Sequence, residues 1–172
     1  MPDPLLNIFI SYSHSDRDFV DRLEADLRQR NFDTWMDRRG LAGGHKWRRE
    51  LQDAIDRSHV LLVVLSPEAV ASEFVQAEYG YAADEGKVVV PIYYRPCKVP
   101  MELRGLQWID FQQSYEQGLE ALVQDLAREA SSTSPSISSE HSGFSQQGKL
   151  PQQNETSHRQ VESKAQVERI WN

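Results

Sequence analysis

The stretch from Val60 to Leu65, VLLVVL, followed at once by Ser66-Pro67, constrains this chain more than any other. An apolar run without polar alternation reads as a strand buried on both faces. Proline suits the first position of a helix, where its missing N–H is not needed, and serine before it is a good N-cap. A helical pattern then continues to Ala83, with Val70, Phe74, Ala77 and Tyr81 on one face. Glu78 lies about 40° around that helix from Phe74, at roughly 100° per residue. It therefore stands on the shoulder of the apolar stripe, not opposite it. A buried strand feeding a capped helix is the unit of an open α/β sheet, and an acid on the helix shoulder falls near the crevice such sheets form.

The rest of the chain repeats the unit. Leu5 to Tyr12 (LLNIFISY) predicts a first buried strand, and Ser15 with Asp18 has the spacing of a capping box. A helix to about Arg30 follows, with Phe19, Val20, Leu23 and Leu27 inward. Phe32 to Met36 predicts a second strand, then a loop carrying Gly40, Gly43 and Gly44, then a helix over Trp47 to Arg57. After the Glu78 helix, Gly86 marks a stop and Val88 to Tyr93 a fourth strand, whose Pro91 suggests an edge or a strand end. A short strand at Leu106 to Asp110 and a helix from Ser114 to Ala130 complete the pattern. Alternating strands and helices imply a parallel sheet covered on both faces, with binding crevices at the carboxyl ends of the strands. Residues 1–130 are thus expected to form one domain. Residues 131–160, rich in Ser and Gln, predict a disordered linker, and residues 161–172 a short helix or the start of a further region.

Totals narrow the function classes. A net charge of −7 argues against a nucleic-acid partner. The lone cysteine, Cys97, has no partner for an internal disulfide and suggests a reducing, cytoplasmic setting. No apolar run is long enough to span a bilayer, so no membrane partner is expected. No His/Cys/Asp cluster has metal-ligand spacing, and no metal or cofactor is expected.

The opening IFISYSHSD, the segment DTWMDRRGLAGGHKW, the strand VLLVVLSP, the helix motif SEFVQAE and the strand VVPIYYRPC together resemble a bacterial-type TIR domain, across residues 5–130. The resemblance implies a flavodoxin-like three-layer α/β fold with a five-stranded parallel sheet. It implies two kinds of function. Some TIR domains cleave NAD+ at the nicotinamide–ribose bond in immune or cell-death signalling. Others are non-catalytic modules that signal by assembling with further TIR domains. In cleaving members a carboxylate stands four residues after an aromatic on the helix following the third strand. Here that pair is Phe74 and Glu78, with phenylalanine where tryptophan is more usual.

One carboxylate suffices for this chemistry. O-glycosidases need an acid because an alkoxide leaves; nicotinamide leaves NAD+ as a neutral molecule. A single Glu beside the ribose can stabilise the developing oxocarbenium charge. The resemblance puts substrate-lining residues after the first strand, Ser11 among them, and Phe74 is the aromatic of the helix motif. Phe9, Tyr12 and Trp47 are candidates to flank the nicotinamide or adenine, with Phe9 and Trp47 reading equally well as core, and Asp37 either binds a ribose or caps the loop. Ser13 and His14 stand where cleaving relatives often carry basic residues. Ser66 reads as an N-cap, and Cys97 has no evident base to make it a nucleophile. The basic loop containing Arg38, Arg39, Gly40, Leu41 and Lys46 either meets the dinucleotide phosphates or docks on a neighbouring TIR domain, and the resemblance implies homo-oligomers through it. NAD+ enters as substrate. A relation to nucleoside deoxyribosyltransferases, which share the architecture and a sugar-directed Glu, fits the long basic loop less well.

Overall fold

The computed structural model describes residues 6–37 and 45–133, with the side chains of residues 45–47 and 133 outside that description. Five strands, β1 (Asn7–Ser11), β2 (Asp33–Met36), β3 (Val60–Leu65), β4 (Val88–Tyr93) and β5 (Ile109–Asp110), form one sheet in the order β2-β1-β3-β4-β5. All neighbours are parallel. This is the doubly wound flavodoxin-like order, in which the chain reverses direction of travel between β1 and β3.

Every residue of β3 is buried, as a central strand covered on both faces requires. Alternation along the strands divides the core in two. Ile8, Ile10, Leu62, Val64 and Ile92 face one layer, closed by α1 (Arg17–Gln29) and α5 (Tyr115–Thr133). Phe9, Leu61, Val63 and Leu65 face the other, closed by α2 (His45–Arg57), α3 (Pro67–Ala71) and α4 (Glu73–Asp84). Each fully buried leucine, isoleucine or phenylalanine contributes on the order of 2 kcal/mol to this arrangement.

Several expectations are corrected. The region after Ser66 is two helices, not one. Ser72 leaves helical geometry at φ −82°, ψ 116°, and its hydroxyl accepts the Val75 amide, capping α4 afresh. The Ser15–Asp18 capping box does not form, because α1 starts after a short 3-10 turn at His14–Asp16 and its N-cap Asp16 points its carboxylate elsewhere. Pro91 is not on a sheet edge. The neighbouring Val88 and Tyr94 amides point to β3, so by alternation position 91 turns its missing N–H to the other flank, where β5 pairs only from Ile92 onward. β5 is shorter than expected, and Leu106 and Trp108 lie exposed before it. Gly86 does end the Glu78 helix, with φ +71°, a conformation glycine adopts without penalty. From residue 134 on, the expected linker and terminal segment lie outside the described residues. Among the described residues no helix is long and apolar enough to cross a membrane.

Candidate active site

The candidate site lies at the carboxyl ends of β1 and β2, where the charge of Asp37 acts on Glu78. Ile10 of β1 is in register with Met36 of β2, so Ser11 and Asp37 follow side by side. Ser11 faces the layer of Phe9 and α4, and its Oγ donates to Glu78 Oε2 at 2.5 Å. Glu78 is buried, 8% exposed. Burial raises its pKa from 4.5 to about 8; the Ser11 hydrogen bond opposes the rise, and the charge of Asp37 adds to it. The charge of Asp37 thus acts on Glu78, 41 residues away in sequence. The second carboxyl oxygen of Glu78 has no hydrogen-bond partner among the described residues. One oxygen is pinned and the other is left for a ligand to meet.

The remaining predicted contacts divide. Asp37 is held in place by Tyr12, whose hydroxyl donates to its backbone oxygen at 2.7 Å. His14 Nε2 stands 3.9 Å from Asp37 Oδ2, and its ring lies 5.5 Å from that of Tyr12. Tyr12 itself is in the opposite core layer from Ser11, with the α1 residues. Phe9 is core, 1% exposed, and stacks on Trp35 with ring centroids 5.0 Å apart. Phe74 is half-buried against the layer that holds Glu78. Trp47 and Lys46 belong to α2 by backbone, while their side chains, like all of Arg38, Arg39, Gly40 and Leu41, lie outside the described residues.

A second polar cluster ties the same end of the sheet together. Asp16, 2% exposed, accepts the Ser66 hydroxyl at 2.5 Å and pairs with Arg95 Nη2 at 2.6 Å. Arg95 also meets Glu68 and lies over the Tyr94 ring at 5.7 Å. Loops after β1, β3 and β4 are thereby joined. Sequence reading missed Asp16 and Arg95, since their partners are far away in the chain. Ser66 also caps α3, accepting the Ala69 amide at 3.1 Å, as expected. Cys97 is unsuited to nucleophilic chemistry: burial raises its thiol pKa, and Asp16 raises it further.

Among the described residues no group of three or more His, Cys, Asp or Glu side chains could hold a metal ion. An open groove of about 620 Å³ lies between α3, α4 and the loop after β4, lined by Val70, Tyr79, Val99, Pro100 and Met101 among others. None of Ser11, Asp37 or Glu78 lines it, so volume and chemistry part company here. We place the site with the carboxylates, because apolar concavity alone offers no reacting group.

A sequence model of the TIR domain family matches residues 8–123. Among curated proteins, the NAD(+) hydrolase TcpA of Theionarchaea archaeon (strain DG-70-1) is 30% identical over 93 residues, which is 51% of this chain and 28% of that protein. The chain spans less than half the length of the curated relatives it matches. Among solved structures, the TIR domain of the Toll-related receptor TRR-2 from Hydra magnipapillata superposes with a TM-score of 0.61 at 24% identity, covering 69% of this chain and 96% of that one. The RPS4 and RRS1 TIR domain heterodimer gives 0.55 at 19% identity, covering 72% and 96%. Both share the fold.

Proposed function

The chain belongs to the TIR domain family, and on that premise we propose that it cleaves the nicotinamide–ribose bond of NAD+ in the cytoplasm, switched on by self-association in immune or cell-death signalling. The observation that carries this reading is Glu78. It is a buried carboxyl at the carboxyl end of a doubly wound sheet, with one oxygen held by Ser11 and the other unpartnered among the described residues. The likeness to a protein named as an NAD(+) hydrolase supports the same chemistry.

Burial holds the resting Glu78 carboxyl largely protonated at neutral pH. The pyridinium of NAD+ brings a positive charge beside it, and an opposite charge favours the carboxylate. Asp37 adds to the negative field that receives this cation. As the glycosidic bond lengthens, positive charge moves from the ring to the ribose, and the second Glu78 oxygen stabilises it where it develops. Nicotinamide departs neutral, so the site needs no proton donor, and the ribose carbon it leaves is captured by water, which sheds a proton to solvent, or by the substrate's own adenine. Removing such a group costs on the order of a hundredfold or more in rate.

The test is nicotinamide release from NAD+ by concentrated or artificially clustered protein, with products identified by mass spectrometry. Glu78→Ala is expected to abolish release while the domain stays folded. Silence of the clustered wild type under a range of conditions would end the enzyme reading. The second reading is a non-catalytic TIR interaction module. It draws on the RPS4 and RRS1 neighbour, whose TIR domains form a heterodimer. It predicts association that survives Glu78→Ala and is lost when the charges of Arg38 and Arg39 are reversed.

A further inference from the structure

Ser11 is a polar residue among mostly apolar neighbours in its layer. Phe9 precedes it on the same face of β1, and Leu61, Val63 and Leu65 of β3 with Ala69 and Val75 fill the surroundings. At 1% exposure its hydroxyl has no water to bond, so its presence asks for a partner. That partner is Glu78 Oε2, and the 2.5 Å separation is at the short end for an O–H donating to a carboxylate.

We infer that Ser11 is a positioning residue for Glu78, not a substrate contact: its hydroxyl fixes the rotation of the carboxyl group and dictates which oxygen meets a ligand. A terminal carboxyl torsion is otherwise broad and nearly two-fold. With Oε2 tethered, the group turns its other oxygen toward a ligand. The tether also acts on charge. Burial and the charge of Asp37 disfavour the ionised form, and the Ser11 hydrogen bond favours it. Losing the hydroxyl therefore leaves Glu78 both less oriented and harder to ionise.

The inference rests on Glu78 being the acting group, so the experiment reads Glu78 apart from turnover. The full chain is labelled with carboxyl-13C glutamate, and the Glu78 resonance, assigned by its absence in Glu78→Gln, is titrated in wild type, Ser11→Ala and Ser11→Thr. Ser11→Ala is expected to move the midpoint upward by about half a pH unit or more, a threefold or greater shift in the proton equilibrium. Ser11→Thr, which keeps the hydroxyl, is expected to titrate nearer to wild type than Ser11→Ala does. In parallel, nicotinamide release by Ser11→Ala should fall chiefly in kcat, and its acidic pH limb should move up with the midpoint. An unmoved midpoint in Ser11→Ala, or a Thr variant that behaves like Ala while folded, overturns the inference. If wild type releases no nicotinamide, the NAD+ reading fails, and the titration still decides the role of Ser11.

Discussion

Replacing Glu78 by glutamine tests the electrostatics of the site without any substrate. In the unfolded chain the carboxyl ionises near 4.5, and in the fold near 8. Below pH 4.5 it is protonated in both states, and the fold carries no charge penalty. Between 4.5 and 8 the unfolded chain gives up the proton and the fold does not, so stability falls as pH rises. Above 8 both states are ionised, and the full cost of a buried charge is present. At 1.36 kcal/mol per pH unit this interval corresponds to a cost on the order of 5 kcal/mol. Glutamine keeps the shape, has no charge to lose, and offers its carbonyl oxygen to the Ser11 hydroxyl. Glu78→Gln is therefore expected to match wild type near pH 4.5 and to exceed it by several kcal/mol at pH 8.5. Urea unfolding of both proteins at half-unit pH steps measures the gap. A gap that does not widen between pH 5 and 8 would refute the idea that burial dominates this carboxyl, and with it the picture of a resting site held neutral.

Three further outcomes follow from the same geometry. If the carboxylate form acts, kcat/KM for nicotinamide release should rise with pH along a limb governed by the free protein's Glu78, with its midpoint displaced from the ordinary carboxylate range toward 8. Arg95→Met should destabilise the domain by about 1–3 kcal/mol in urea, since buried Asp16 loses its guanidinium; the upper range for buried pairs is discounted because the Arg95 side chain is 37% exposed. Gly118→Ala should lower the melting temperature although alanine is the better helix former, because a Cβ there would come within 2.7 Å of Phe111 Cγ and 2.8 Å of the Asp110 carbonyl oxygen. An unchanged Tm in that variant would mean that α5 can shift off β5 at no cost.

What could be read in advance was what depends on local pattern. The run VLLVVL with Ser66-Pro67 announces a doubly covered strand and a capped helix, and both are present. Apolar periodicity hides the break at Ser72, because α3 and α4 bury residues in the same layer. Ser72 does carry the signal of a second N-cap, three residues before the amide it binds. The polar cluster of Asp16, Ser66 and Arg95 has no local signature, since its bonds span 50 and 79 residues. Asp16 lies beside an apparent capping box, Ser15 with Asp18, that does not form. Strand alternation sends the adjacent candidates Ser11 and Tyr12 to opposite faces of the sheet. Glu78 and Asp37 were each legible as candidates, from helix periodicity and from the end of a strand. The influence of Asp37 on Glu78 emerges only in the fold, where the register of β1 against β2 sets Asp37 beside Ser11.

The hydroxyl of Ser66 has two engagements: it accepts the Ala69 amide and donates to Asp16. A local helix start is thereby made a party to a contact between distant loops. Loosening the turn at His14–Asp16 also loosens the first turn of α3, although no peptide bond near it has changed. The exchange rate of a single amide proton, that of Ala69, becomes a gauge of whether the loops after β1, β3 and β4 are closed together. Read by hydrogen exchange in Asp16→Asn against wild type, it would report how far the rim of the sheet opens as one cooperative unit.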